Sequence, residues 1–145
     1  MTLDEILDIW NIDSIIDDNN LGIHAIETAK LHSKYLNFLM ESKLKKTKLD
    51  QDFNILKKNK IRYYRGELTR KELESFGWEP WQYNKPLKNE MDEFLKGDED
   101  LSKIKLRIEY IDVIIYALES IMQQIKSRDW SIKNAISWKQ FMAGS

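Results

Sequence analysis

The stretch LSKIKLRIEYIDVIIYALESIMQQI, residues 101–125, decides the fold. Leu101, Ile104, Ile108, Ile111, Ile115, Leu118, Met122 and Ile125 follow one another at alternating intervals of three and four residues. That alternation is an unbroken heptad seam, which only a helix packed along its length on another helix can bury. Leu106, Tyr110, Val113, Ile114 and Ile121 add apolar surface beside the seam. One partner helix does not cover that much, so packing on more than one side is expected.

Working outward, the seam is preceded by Gly97-Asp98-Glu99-Asp100, a turn that also supplies acidic groups to the next helix N-terminus. It is followed by Ser127-Arg128-Asp129, read as a break, and then by a final amphipathic helix over roughly 131–142. Upstream, Thr2 and Glu5 have capping-box spacing, and Leu3, Ile6, Leu7 and Trp10 share one face. Asp17-Asp18-Asn19-Asn20 reads as a turn. No Pro or Gly interrupts residues 23–65, so one long helix is expected from Leu21 to Tyr64, with Gly66 at its end. Leu31, Tyr35 and Phe38 form one stripe on it, and Leu49, Phe53, Leu56 and Tyr63 another. Residues 66–86 are the least regular part, with one helical turn over Glu72–Gly77 broken by Gly77-Trp78-Glu79-Pro80-Trp81. Leu87, Met91 and Phe94 have the spacing of a short helix. The fold class is therefore all-α: long helices with a hairpin-like core in one domain over 1–145. Within it, 1–65 holds the N-terminal helices, 66–100 an irregular connection with a short helix, and 101–145 the heptad and C-terminal helices.

Composition narrows the chemistry. The chain has 145 residues, a 32% charged share, five Gly, two Pro and no Cys. Without cysteine there is no disulfide, thiolate zinc site or thiol nucleophile. The acidic start MTLDEILDIW does not read as a secretory signal, and the longest apolar runs fall far short of a membrane span. Net charge is -1, but it is segregated. Residues 1–42 hold two Lys against eight Asp and Glu, whereas residues 43–65 hold nine Lys and Arg against two Asp. Blocks of this kind create a local field whatever the total.

The basic block ends in KKNKIRYYR, Lys57 to Arg65. At about 100° per residue, Lys58, Arg62 and Arg65 fall on one face and Leu49, Phe53, Leu56 and Tyr63 roughly opposite. Lys57 and Lys60 flank the apolar side, from which their long stems can snorkel out. Such a ridge attracts phosphates without regard to sequence, and Tyr63 and Tyr64 are candidates for stacking on unpaired bases. The bland reading is a solvated helical face with the tyrosines in a core. His24 and His32 lack further ligands at zinc-binding spacing. The acidic pairs at Asp17-Asp18, Asp92-Glu93 and Asp98-Glu99-Asp100 fit capping and solvation better than acid–base chemistry. No phosphate-cradling Gly-rich loop or nucleophile signature is present. No metal, cofactor or catalytic residue is expected, and the chain is not expected to be an enzyme. The tryptophan-bearing end around Trp130 and Trp138 is read first as an interface.

Several motifs in order carry a resemblance: MTLDEILDIW with IDSIID, LHSKYL (Leu31–Leu36), KIRYYRGEL (Lys60–Leu68), FGWEPW (Phe76–Trp81), GDEDL, and SRDWSIKNAISWKQFMAG (Ser127–Gly144). Across most of its length the chain resembles the UvsY family of recombination mediators from T4-like phages, the cyanophage versions above all. The resemblance implies a non-enzymatic protein that assembles into a ring-like homo-oligomer of about six or seven subunits. It implies binding to single-stranded DNA, contact with the phage single-strand-binding protein, and loading of the phage recombinase in recombination and repair. The place of action would be the cytoplasm of the infected bacterial host. The family's DNA-binding motif falls on Lys58-Asn59-Lys60-Ile61-Arg62-Tyr63-Tyr64, with Lys58 and Lys60 inheriting the role directly. Arg62 is an addition, because the T4 member is acidic there. The candidate DNA-binding set is thus Lys57, Lys58, Lys60, Arg62, Tyr63, Tyr64 and Arg65. The C-terminal helix inherits oligomerisation through Trp130, Ile132, Ile136, Trp138 and Phe141. Residues 66–95 match the T4 member poorly. The rival reading is a helical oligomeric scaffold or adaptor that binds no nucleic acid.

Overall fold

A computed structural model describes residues 1–144, which are helices and their connections with no strand among them. In chain order these are α1 (Leu3–Asp13), a short 3-10 turn (Asp18–Asn20), α2 (Leu21–Tyr64), α3 (Arg70–Phe76), α4 (Met91–Lys96) and α5 (Glu99–Gly144).

Local chemistry accounts for the helix ends. The Thr2 hydroxyl accepts from the Glu5 N–H while the Glu5 carboxylate accepts from the Thr2 N–H, the reciprocal bond pair that the spacing predicts. Thr69 and Glu72 repeat that box at the start of α3. Helix α2 ends at Gly66, where φ is +70°, with the Glu67 N–H returning to the Arg62 carbonyl at 2.9 Å. Helix α3 ends the same way at Gly77, where φ is +72° and the Trp78 N–H returns to the Leu73 carbonyl. Both are left-handed closures that a side chain would strain.

The chain divides into two compact units. The first comprises Met1–Lys45 and Ile111–Ser145, so it holds α1, the first part of α2 and the last part of α5. Its core is Ile6, Tyr35, Leu39, Ile114, Leu118, Ile121 and Ile125. Trp10, Tyr35 and Phe38 meet edge to face around it. The buried Tyr35 hydroxyl donates to Asp13 at 2.8 Å, and Lys34 pairs with the same carboxylate. Arg128, also buried, donates to the carbonyls of Asp13 and Ser14 at the end of α1, where a cation suits the helix dipole.

The second unit is Lys46–Tyr110, holding the rest of α2, all of α3 and α4, and the start of α5. Tyr64, Met91, Leu95 and Leu101 form its core, flanked by Phe53, Leu56, Ile61, Tyr63, Trp81 and Phe94.

Two sequence expectations differ from the structure in α5. The helix runs unbroken through Ser127-Arg128-Asp129. The Ser127 and Ser131 hydroxyls donate to the carbonyls four residues back, so these serines serve the helix instead of ending it. Arg128 and Ile132 continue the buried positions of Ile121 and Ile125 at intervals of three and four. The seam also changes phase. In the first unit the deepest stripe is Ile114, Leu118, Ile121, Ile125, Arg128 and Ile132, while Ile111, Ile115 and Met122 are only half-buried. An α-helix has 3.6 residues per turn, so a strict heptad drifts around it and the buried stripe must slip.

Candidate nucleic-acid interface

Lys57–Tyr64 forms the last two turns of α2 and Arg65 follows in the turn, all within the second unit. Internal ion pairs split its charged residues into two groups. Lys57, Lys58 and Arg65 are exposed, and none makes an ion pair among the described residues. Lys60 turns inward and Arg62 stays on the face of Lys58 and Arg65, and both are neutralised within the chain.

Lys60 is the extreme case, at 6% exposure. Its ammonium lies 3.1 Å from Asp98 and 2.9 Å from Asp100, and 4.1 Å from the centre of the Trp78 ring. A lysine buried this far needs such partners, because an unpaired ammonium is too costly to remove from water. Asp98 is at the same time the N-terminal cap of α5, accepting from the Leu101 N–H at 3.0 Å and from the Tyr64 hydroxyl at 2.7 Å. Burial pushes the Asp98 carboxyl up, but bonds from Leu101, Tyr64 and Lys60 outweigh it and hold the group below its ordinary value. The Tyr64 hydroxyl is pushed up, first by burial and then by the bond to Asp98.

Arg62 makes a two-pronged pair with Glu72, at 2.6 and 3.0 Å. That bond, with the Thr69 N–H behind it, holds the Glu72 carboxyl at about 2. Tyr63 donates to the Glu79 carbonyl at 2.6 Å, and its ring meets Tyr64, Trp78 and Trp81 at centroid distances of 5.3, 5.4 and 5.9 Å.

Two expectations about this segment are therefore corrected. Lys60 does not snorkel to solvent, because Asp98 and Asp100 meet it inside. The tyrosine pair does not stand free for bases: Tyr64 is 7% exposed and Tyr63 is half-buried among tryptophans. The ridge of Lys58, Arg62 and Arg65 keeps two free cations, with Arg62 tied to Glu72. Sequence reading missed Glu72, Trp78, Asp98 and Asp100 as partners. The local signals at Glu72, Asp98 and Asp100 were those of helix starts, Glu72 at capping-box distance from Thr69 and the two aspartates in the acidic stretch where α5 begins, and they do not point to Arg62 or Lys60.

The expected oligomerisation residues also divide. Trp130, Trp138 and Phe141 are exposed, and Trp138 stacks on Phe141 at 5.8 Å. Ile136 is half-buried, and Ile132, at 2% exposure, is consumed by the chain's own packing. Among the described residues no cluster of His, Asp or Glu could hold a metal ion, and no helix is long and apolar enough to cross a membrane.

The model of one protein family, described as recombination, repair and ssDNA binding protein UvsY, matches residues 9–145. The recombination protein uvsY of Enterobacteria phage T4 is 25% identical over 144 residues, covering 99% of each chain. Crystal structures of the bacteriophage T4 recombination mediator protein UvsY share the fold. One superposes with a TM-score of 0.83 at 24% identity, covering 99% of this chain and 98% of that one. A second lattice gives 0.81 at 23% identity, covering 95% and 98%. The all-α reading and the resemblance meet here: this chain belongs to the UvsY family of recombination, repair and single-stranded-DNA-binding proteins.

Proposed function

We propose that this protein is a recombination mediator that holds single-stranded DNA on the exposed cations of α2 and loads a phage recombinase onto strands covered by single-strand-binding protein. One observation carries the reading. In a helix segment rich in charge, Lys57, Lys58 and Arg65 are left exposed and without an internal counter-charge, while Lys60 and Arg62 are neutralised. Free cations release bound counterions on meeting phosphates, and that release drives sequence-independent binding. Lys60, Arg62, Tyr63 and Tyr64 take the supporting role of fixing the helix end from which the free cations project.

A few cations bind a strand weakly. A ring-like homo-oligomer of about six or seven copies presents them many times, and avidity multiplies the effect. The exposed Trp130, Trp138 and Phe141 supply the contact between copies. The protein works by binding and assembly, without catalysis or cofactor, in the cytoplasm of the infected host. Its partners are the strand, the recombinase, the single-strand-binding protein and itself.

The test is a salt titration of binding to a fluorescently labelled oligonucleotide. The wild type should bind tightly at low salt and weaken steeply with added salt, and Lys57→Ala/Lys58→Ala should flatten that dependence. No binding at the lowest salt would favour a scaffold that touches no nucleic acid.

A further inference from the structure

Between the end of α2 and α4, the second unit carries two open depressions of about 220 and 410 Å³ that share Lys57, Asp92 and Leu95 along their walls. They therefore adjoin, forming one groove. Arg65 and Lys88 line one part, and Lys96 and Lys105 the other. Three of these cations, Lys88, Lys96 and Lys105, lie outside the basic block of α2. They come from the segment before α4, from its last turn and from the start of α5.

All five cations are exposed, and none is ion-paired among the described residues. Asp92 is the one acidic side chain lining either depression. The floor is apolar, made of Ile61 and Met91 on one side and Phe53 and Leu101 on the other, with Leu95 common to both. Free cations along the walls and an apolar floor are the two features a groove needs to track a single strand. The walls meet phosphates, and the floor meets base and sugar faces. A face that held only solvated charge would not need its cations gathered from three separate elements along one trough.

We propose that the strand leaves the exposed face of α2 and runs through this groove, with Lys88, Lys96 and Lys105 contacting its phosphates and Asp92 weakening the grip. This rests on the single-stranded-DNA reading above and extends it to α4 and α5.

The experiment uses the full-length chain and labelled oligothymidylate over a series of sodium chloride concentrations. Four proteins are compared: wild type, Lys57→Ala/Lys58→Ala, Lys88→Ala/Lys96→Ala/Lys105→Ala, and Asp92→Asn. For single strands each phosphate contact contributes roughly 0.7 to the logarithmic salt slope, so the triple variant should lose about 2 per bound protomer. Removing the one opposing charge should tighten binding by about twofold to fivefold, as for an exposed charge pair. If the wild type binds and the Lys57/Lys58 variant weakens, an unchanged slope in the triple variant overturns the groove path and leaves the proposed function standing. If the wild type itself does not bind, both fall. Circular dichroism checks that the variants keep their helicity. Should the triple variant lose it, Asp92→Asn decides alone, and no tightening overturns the proposal.

Discussion

Lys60 shows how a charge in a basic run can belong to the fold. Its side chain is buried against Asp98, with Asp100 and Trp78 completing the shell. Truncating it leaves the Asp98 carboxylate buried without its cation, a change that costs on the order of 3 kcal/mol. Lys60→Ala should therefore unfold at markedly lower urea than wild type, and Lys60→Met/Asp98→Asn should recover most of the loss. Lys58→Ala, at an exposed and unpaired position, should stay within about 0.5 kcal/mol of wild type. A Lys60→Ala protein as stable as Lys58→Ala would contradict this division of roles. Glu72 supports a pH prediction of the same kind. Its carboxyl is held at about 2, against an ordinary value of 4.5, chiefly by Arg62. A lowered value means the stabilisation is complete above the ordinary value and is lost as pH falls through the lowered one. The stability gap between wild type and Glu72→Gln should hold at neutral pH and close between about 4.5 and 2, measured by urea melts at a series of pH values. A gap that persisted unchanged below that window would refute the pairing.

At the scale of elements, helix endings do much of the positioning. Gly77 takes φ +72°, and nothing lies within 4 Å of where its Cβ would stand. Gly77→Ala should still cost about 1 kcal/mol, because the left-handed backbone is unfavourable for any L side chain. A neutral substitution would show that the turn relaxes. How much was legible in the sequence follows from which signals are local. The absence of Pro and Gly over 23–65, the Thr2–Glu5 box and Gly66 are short-range, and they place α1 and α2 correctly. The pairing of Lys60 with Asp98 and Asp100 joins residues far apart in the chain, and no periodicity reveals it. The break expected at Ser127-Arg128-Asp129 came from composition, and it failed because serine bonds back to its own helix and Arg128 has carbonyls of α1 to meet. In the candidate site the free cations Lys58 and Arg65 were legible by angle around the helix, whereas angle put Lys57 beside Lys60 at the edge of the apolar side. The fates of Lys60, Arg62 and Tyr64 were set by α3 and the start of α5, which the angle alone does not place.

At the scale of the whole molecule, the question is which apolar surface the chain uses on itself and which it leaves for others. Along the last turns of α5 the answer changes from residue to residue. Ile132 is 2% exposed, whereas Trp130, Trp138 and Phe141 are 68%, 63% and 64% exposed. Three solvated aromatic side chains on one helix are a large exposed hydrophobic area in a lone protomer, and burying them between copies recovers roughly 25 cal/mol for each Å² covered. The two classes should respond differently. Ile132→Ala removes a packed side chain and should cost about 2 to 5 kcal/mol of protomer stability. Trp130→Ser/Trp138→Ser should leave the protomer's helicity intact and shift the solution mass, measured by light scattering, from an oligomer toward the single chain. Because avidity rests on copy number, the same double variant should also lose affinity for a long oligonucleotide far more than for a short one that spans a single protomer. If the mass held while the long-strand affinity fell, the tryptophans would be touching DNA instead of a second copy. If neither moved, the assembly would have to be built on another face of the molecule.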